Sequence, residues 1–192
     1  MGSSQKQKAE HHQLLLEIAA RTVREGGLQS LGIAKLMEAA GLTHGGFYSH
    51  FQSRDELVGE TLNQAFDQAR VDLFGAINRR REGDFLSDFI KVYLNEHHRD
   101  HPELGCVVAM LSNDVQRSDE ATRGLYTERF KTYIEEIQEL MSDGVKEREA
   151  RAISLLCLMA GAIIVARTVT DDALSKKVLK AASKLANKVA AE

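Results

Sequence analysis

Proline is almost missing from this chain: Pro102 is the only one in 192 residues. Proline lacks a backbone N–H and clashes with the preceding helical turn, so its scarcity leaves helices free to run, and β-branched alternation is also scarce. Cysteine is sparse as well. Cys106 and Cys157 lie far apart with no CxxC spacing, which excludes a disulfide framework and suits a reducing cytoplasm. Long apolar runs are lacking: the longest uncharged stretch, 152–166, falls short of the ~20 residues a bilayer-spanning helix needs, so no membrane partner is expected. The opening "MGSSQKQKAE" has no apolar signal segment, and residues 1–10 are expected to form a disordered polar tail. An excess of one charge is missing too, since the net charge is only −3. No GxSxG, HExxH, GxxxxGK or GxGxxG is found, nor a carboxylate pair beyond helix-surface spacing. The chain is therefore read as a cytoplasmic non-enzyme with no cofactor and no metal.

What is present is helical periodicity. Leu14, Leu15, Ile18, Ala19, Thr22 and Val23 recur every three to four residues, as on an amphipathic helix, and Gly26-Gly27 stops it. A second helix is expected over Ile33–Ala40 with Gly41 as its C-terminal cap. Thr43 is placed to cap a third, with Phe47 and Phe51 packing inward. Ser53-Arg54-Asp55-Glu56 reads as a capping box for a long fourth helix carrying Leu57, Val58, Leu62, Ala65, Phe66, Ala69 and Leu73. Five more are expected at Phe85–His98, Cys106–Arg117, Glu120–Ser142, Glu147–Val169 and Asp172–Ala190, about nine in all. The charged "NRRREGD" between the fourth and fifth reads as a solvated helix end. The fold class is all-α, with a head at 11–55 and a helical body at 56–192. No flexible linker separates them.

"GLT" between the second and third helices is a three-residue turn with glycine, the geometry of a helix-turn-helix. In that motif the start of the second helix meets base edges in the major groove. Gly45 and Gly46 then fall where bare backbone lets the helix press close to DNA, with N–H groups facing phosphate. Tyr48 and His50 are candidate phosphate donors, Thr43 and His44 stand at the groove entrance, and Arg54 suits a phosphate better than a helix N-terminus. Bulk charge gives no support, since residues 1–58 carry six Lys/Arg and six Asp/Glu.

Over residues 12–62 the chain resembles the TetR/AcrR family of transcriptional regulators. "LLEIAARTVREGGL" and "IAKLMEAAGLTHGGFYSHFQSRDELVGETL" carry the resemblance. It implies a homodimer on a palindromic double-stranded DNA operator, most often a repressor, released by a small-molecule effector bound in the C-terminal helices. Two positions depart from the family pattern. Gly32 stands where a Ser or Thr cap is common, though glycine also adopts the cap conformation. His12 stands where an arginine is common. Both make weaker or more pH-sensitive DNA binding an alternative, that of a small-molecule-binding protein with a weakened head.

In the C-terminal part, "AISLLCLMAGAIIVA" (152–166) is apolar on nearly every face, so one side needs a partner chain. With the last helix, whose Lys176, Lys180, Lys184 and Lys188 form a solvated row opposite Val178, Leu185 and Val189, it is expected to form the dimer face. An effector pocket is expected near Phe89, Tyr93, Cys106, Met110, Tyr126, Phe130, Tyr133 and Met159. Cys106 follows a Pro/Gly loop and opens a helix near His97, His98, Arg99 and His101. A thiol sensor of electrophiles or oxidants is thus a further alternative, against a small buried hydrophobe. His97, His101 and Cys106 have workable zinc spacing but no evident fourth ligand.

Overall fold

The computed structural model describes residues 2–75, 77, 84–142 and 144–191, which contain helices and no strand. Nine α-helices follow one another: α1 Gly2–Gly26, α2 Ile33–Ala39, α3 Arg54–Gly75, α4 Phe85–Tyr93, α5 Glu96–Asp100, α6 Val107–Val115, α7 Glu120–Glu139, α8 Arg148–Thr168 and α9 Asp172–Ala191. Short 3₁₀ turns stand at Leu28–Ser30, His44–Ser49 and Pro102–Leu104. The all-α class is as expected, but the membership differs. The expected third helix is the tight 3₁₀ turn 44–49, and the expected Phe85–His98 is broken into α4 and α5. Of "NRRREGD", only Asp84 lies within the described residues.

Local chemistry explains the boundaries. Gly41 takes φ +69°, and its N–H donates to Glu38 O at 2.9 Å while Leu42 N–H donates to Met37 O at 2.8 Å. That pair of bonds is a Schellman ending, which needs a left-handed residue where glycine sits without strain. At the start of α3, Ser53 Oγ accepts from Glu56 N–H at 3.0 Å, and the Glu56 carboxylate accepts from Gln52 N–H, one residue before the expected partner. Asn95 divides α4 from α5. Its carbonyl accepts from His98 N–H at 2.7 Å and its amide donates to Val92 O at 2.9 Å, so one side chain satisfies the end of one helix and the start of the next.

Residues 2–10, expected as a disordered tail, lie within α1 in the structure. Nothing between Ser3 and Leu16 breaks a helix, and Lys6 pairs with Glu10 one turn on at 3.8 Å. Residues 5–10 stay exposed, so this extension is held by backbone bonding and propensity rather than packing.

Leu15, Ala19 and Val23 of α1 close over Met37, Phe47, Phe51, Leu57 and Leu62 to make the head core. The seam between head and body is polar. Arg24, with no exposed surface, donates to Gln68 Oε1 at 2.8 Å, Asp72 Oδ2 at 3.3 Å and Gly105 O at 3.4 Å. Leu28 N–H donates to Asp114 Oδ2 of α6 at 2.7 Å. In the body, α8 packs along α9 and against α7 and α6. At 21 residues and mean hydropathy 1.8, α8 could cross a bilayer by length and composition, which the uncharged run alone understates. It instead buries Leu155, Leu156, Met159 and Ile163 among its neighbours. On α9 the packed face is Ser175, Leu179, Ala182 and Ala186. That is a step round from the expected stripe, and Leu185 is half exposed.

His98 locks the approach to α6. Its Nε2 lies 3.1 Å from Cys106 N–H, which must donate, so Nε2 is bare. Nδ1 then carries the hydrogen and donates to Tyr93 O at 2.6 Å. Burial pushes this imidazole down to about 4 from 6.5, outweighing the Tyr93 bond. A base whose folded pKa is depressed binds fewer protons folded than unfolded, so stability falls as pH drops from 6.5 toward 4. Going from pH 7 to pH 5 should remove about 2 kcal/mol through this group. Urea titrations at the two pH values should show that loss in the native chain, and most of it should vanish in His98→Gln.

Candidate nucleic-acid interface and effector cavity

The tip of the head is built by the 3₁₀ turn. Thr43 occupies its N-cap with extended backbone, yet its side chain makes no capping bond. The expected side-chain cap is thus replaced by Gly46 N–H donating to Thr43 O at 2.9 Å, which leaves the Thr43 hydroxyl outward. Thr43, His44 and Gly45 are exposed and Gly46 partly so, while Phe47 is buried and Tyr48 is 74% exposed. An exposure that large for a tyrosine beside two buried phenylalanines means its hydroxyl is offered outward. Phe47 and Phe51 pack 5.5 Å apart in the core beneath.

Neither Gly45 nor Gly46 is required from inside. Neither has a positive φ. A Cβ added at Gly45 would meet nothing within 4 Å, and at Gly46 only Met37 Cε at 3.4 Å and Thr43 Oγ1 at 3.7 Å. Gly27 is the contrast. It sits at φ +77°, and an added Cβ would come within 2.5 Å of Asp114 Oδ2. Gly32 caps α2 in extended conformation with open space around it.

His50 ends the turn, with Nδ1 buried and without a hydrogen-bond partner. Burial, then His12, Lys8 and His11, holds its pKa below the usual value, so it is neutral at pH 7. His12 lies 2.8 Å from Glu60, tied to α3 rather than free for a phosphate. Lys8 of the α1 extension and His11 therefore reach this end of the head, and Lys8 was not expected there because the tail read as unstructured. Arg54 opens α3 and borders a groove shared with Asp114, Arg117 and Asp119 of the body, so it stands at the seam and not in the 43–50 cluster.

Within the body, a cavity of about 190 Å³ opens between α3 and α7, walled by Phe66, Ala69, Val107 and Tyr133. Of the expected pocket residues only Tyr133 lines it. Phe89, Tyr93, Cys106 and Met159 are buried in packed core, and Met110, Tyr126 and Phe130 pack partly buried against it. Tyr126 donates to or accepts from Ser112 Oγ at 2.6 Å and stacks near Phe130. The Tyr93 and Tyr133 hydroxyls are buried without hydrogen-bond partners. Burial, with the Cys106 thiol beside them, pushes both phenols up.

Cys106 is fully buried at the N-cap of α6. The positive groups expected around it are engaged elsewhere: Arg99 with Asp100 and Asp172, and His101 with Glu103. His98 touches its backbone N–H as a neutral ring. Among the described residues no group of three or more His, Cys, Asp or Glu could hold a metal ion.

Residues 15–61 match the profile of bacterial regulatory proteins of the tetR family. The HTH-type transcriptional repressor KstR2 of Mycobacterium tuberculosis is 30% identical over 140 residues, 69% of this chain and 66% of that protein. The match thus spans just under two thirds of the relative's length. Its Rhodococcus jostii namesake is 39% identical over 61 residues, covering 32% of this chain and 28% of that one. Among solved structures, a TetR-family regulator from Cytophaga hutchinsonii superposes with TM-score 0.77 at 18% identity, covering 97% of this chain and 98% of that one. Reduced E. coli NemR gives 0.75 at 19%, covering 93% and 96%; identities this low speak to fold alone. The chain belongs to the TetR family of bacterial regulatory proteins.

The two kinds of glycine should separate on substitution. Gly45→Ala should leave the melting temperature unchanged or slightly higher, because an open site gains only reduced unfolded-chain entropy. Gly27→Ala should lower it by about 5 °C or more, since the strain and the Asp114 clash together amount to roughly 2 kcal/mol or more. Differential scanning fluorimetry of both variants decides this.

Proposed function

We propose that this chain is a cytoplasmic, homodimeric transcriptional repressor that holds a palindromic DNA operator with the 43–50 turn of each protomer. It lets go when a small molecule enters its helical body. The observation that carries the reading is the tip itself. Bare backbone at Gly45 and Gly46 and a mostly exposed Tyr48 stand over a buried Phe47–Phe51 pair, with nothing inside the chain requiring them. Major-groove approach by a helix tip needs small residues at the contact and side-chain donors beside it. Thr43, His44, Tyr48 and His50 supply the donors. Gly32 would bring the α2 N-terminus close to a phosphate without a side chain, and Arg54 would act from the flank. Family membership and the likeness to the mycobacterial transcriptional repressor favour repression.

The twofold pairing rests on α8 and α9. Ile153, Cys157, Gly161 and Ile164 follow at three- and four-residue steps on the uncovered side of α8, and Leu174 and Leu185 lie three turns apart on α9. A stripe of this kind on the two most apolar helices suits an isologous contact. The thiol-sensing reading loses its ground with Cys106 sealed in the core.

Fluorescence anisotropy with genomic fragments selected by binding tests the central claim. Log affinity should fall linearly with log salt by about 0.9 per phosphate contacted, and Tyr48→Phe should weaken binding about tenfold. Salt-independent capture without a preferred site would instead mean a head that no longer reads DNA. Ile164→Glu should turn a particle of twice 21.3 kDa into a monomer on sedimentation and abolish operator binding; a dimer that survives it would place the contact elsewhere.

A further inference from the structure

The mouth of the α3–α7 cavity is crossed by two ion pairs running in opposite senses. Arg70 of α3 meets Glu136 of α7, and Arg129 of α7 meets Asp67 of α3. The Arg129 guanidinium also lies over the Phe66 ring, 5.6 Å from its centroid. Each guanidinium carries five N–H donors. Among the described residues, Arg70 gives one hydrogen bond, from Nε, and Arg129 gives one, from Nη2. Each arginine therefore keeps N–H donors that no described acceptor engages, beside the Asp67 and Glu136 carboxylates.

Size and shape narrow the occupant further. A dry cavity of about 150 Å³ holds a benzene ring, so 190 Å³ takes one ring and a small substituent. Phe66 and Tyr133 supply flat apolar faces, while Val107 and Ala69 fill the sides. The Asp67 carboxylate is 58% exposed, and exposed ion pairs are weak and easily exchanged. An incoming carboxylate can thus share or take Arg129 in the paired, planar geometry that guanidinium favours.

From this geometry we infer that the α3–α7 cavity binds a monocyclic aromatic carboxylate, ring inward against Phe66 and Tyr133 and carboxylate outward on Arg129 and Arg70. The inference rests on the proposed effector-binding role of the body and names the ligand class for it. Regulation follows from position. The pairs that the ligand loosens are those joining α3 to α7, and α3 is the helix whose first turn carries the head. Wedging α3 from α7 shifts the head relative to the twofold axis.

Isothermal titration of the purified protein with benzoate, benzamide and benzylamine tests this without DNA. Benzoate should bind and raise the melting temperature, benzamide should bind about tenfold more weakly or not at all, and benzylamine should not compete. Arg129→Gln should lose about tenfold in benzoate affinity while melting like the native chain. Absence of benzoate binding, equal binding by Arg129→Gln, or benzylamine binding as well as benzoate would overturn the assignment. Operator affinity is then measured with and without saturating benzoate. A ligand-free protein that does not hold its operator fails the earlier reading, whereas operator binding indifferent to bound benzoate fails this one.

Discussion

Arg24 is the interaction on which the arrangement of head and body depends. A guanidinium with no surface in water must find its partners inside the protein, and here they come from three places: Ala20 O on its own helix, Gln68 and Asp72 on α3, and Gly105 O before α6. Burial lowers its pKa and Asp72 opposes that shift. Leaving a buried charge unpaired costs several kcal/mol, so α1 cannot turn against α3 or the 102–105 turn without losing more than packing. At the far end of α6, Asp114 holds Leu28 N–H. Helix α6 is consequently strapped to the end of α1 at both of its ends. Its first residue, Val107, is also a wall of the cavity, so one short helix borders both the cavity and the head.

None of this seam was legible in the sequence. Arg24 in the last turn of a helix reads as a cation facing the helix dipole, and its partners outside its own helix lie 44 to 81 residues away. Legible features were those whose cause is local: the apolar period of α1, the Schellman glycine at 41, and Ser53 ahead of a long α3. Where sequence reading failed, a single side chain or a distant partner overrode the local pattern. Asn95 stops α4 and starts α5 because one amide serves both ends, while the apolar period runs straight through. The 44–49 segment closes as a 3₁₀ turn where two glycines weaken the α-helix. Cys106 was misleading for the same reason. Proximity in sequence placed four positive residues around it, but a side chain's charge acts where its tip lies, and the tips of Arg99 and His101 lie on carboxylates.

Helix α8 shows how composition and packing can disagree about environment. Its length and hydropathy would serve in a bilayer, yet one side is filled by α6, α7 and α9. The side left over carries Ile153, Ile164 and Val165 at roughly 38 to 47% exposure. An apolar stripe one helix wide, continued by Leu174 and Leu185 on α9, is the face that the proposed pairing lays against the same two helices of a second copy. Two such surfaces laid across a twofold axis would make a four-helix contact of the kind obligate dimers use. On the proposed pairing, the apolar excess of α8 is a matter of assembly.

The glycines of the head close the physical argument. Gly27 and Gly41 are explained by the chain itself, one by a left-handed φ and a carboxylate in contact, the other by a helix ending that needs that conformation. Gly45 and Gly46 have neither excuse, and alanine at either would favour the turn by up to about 1 kcal/mol. A residue that is suboptimal for its own fold and sits at the most exposed turn of the head answers to something outside the fold. The nearest side chains are two hydroxyls and two imidazoles, with a lysine and a third imidazole from the α1 extension behind them. On the proposed operator-binding reading, that something is a phosphate-edged groove, which rewards bare amides and such donors together.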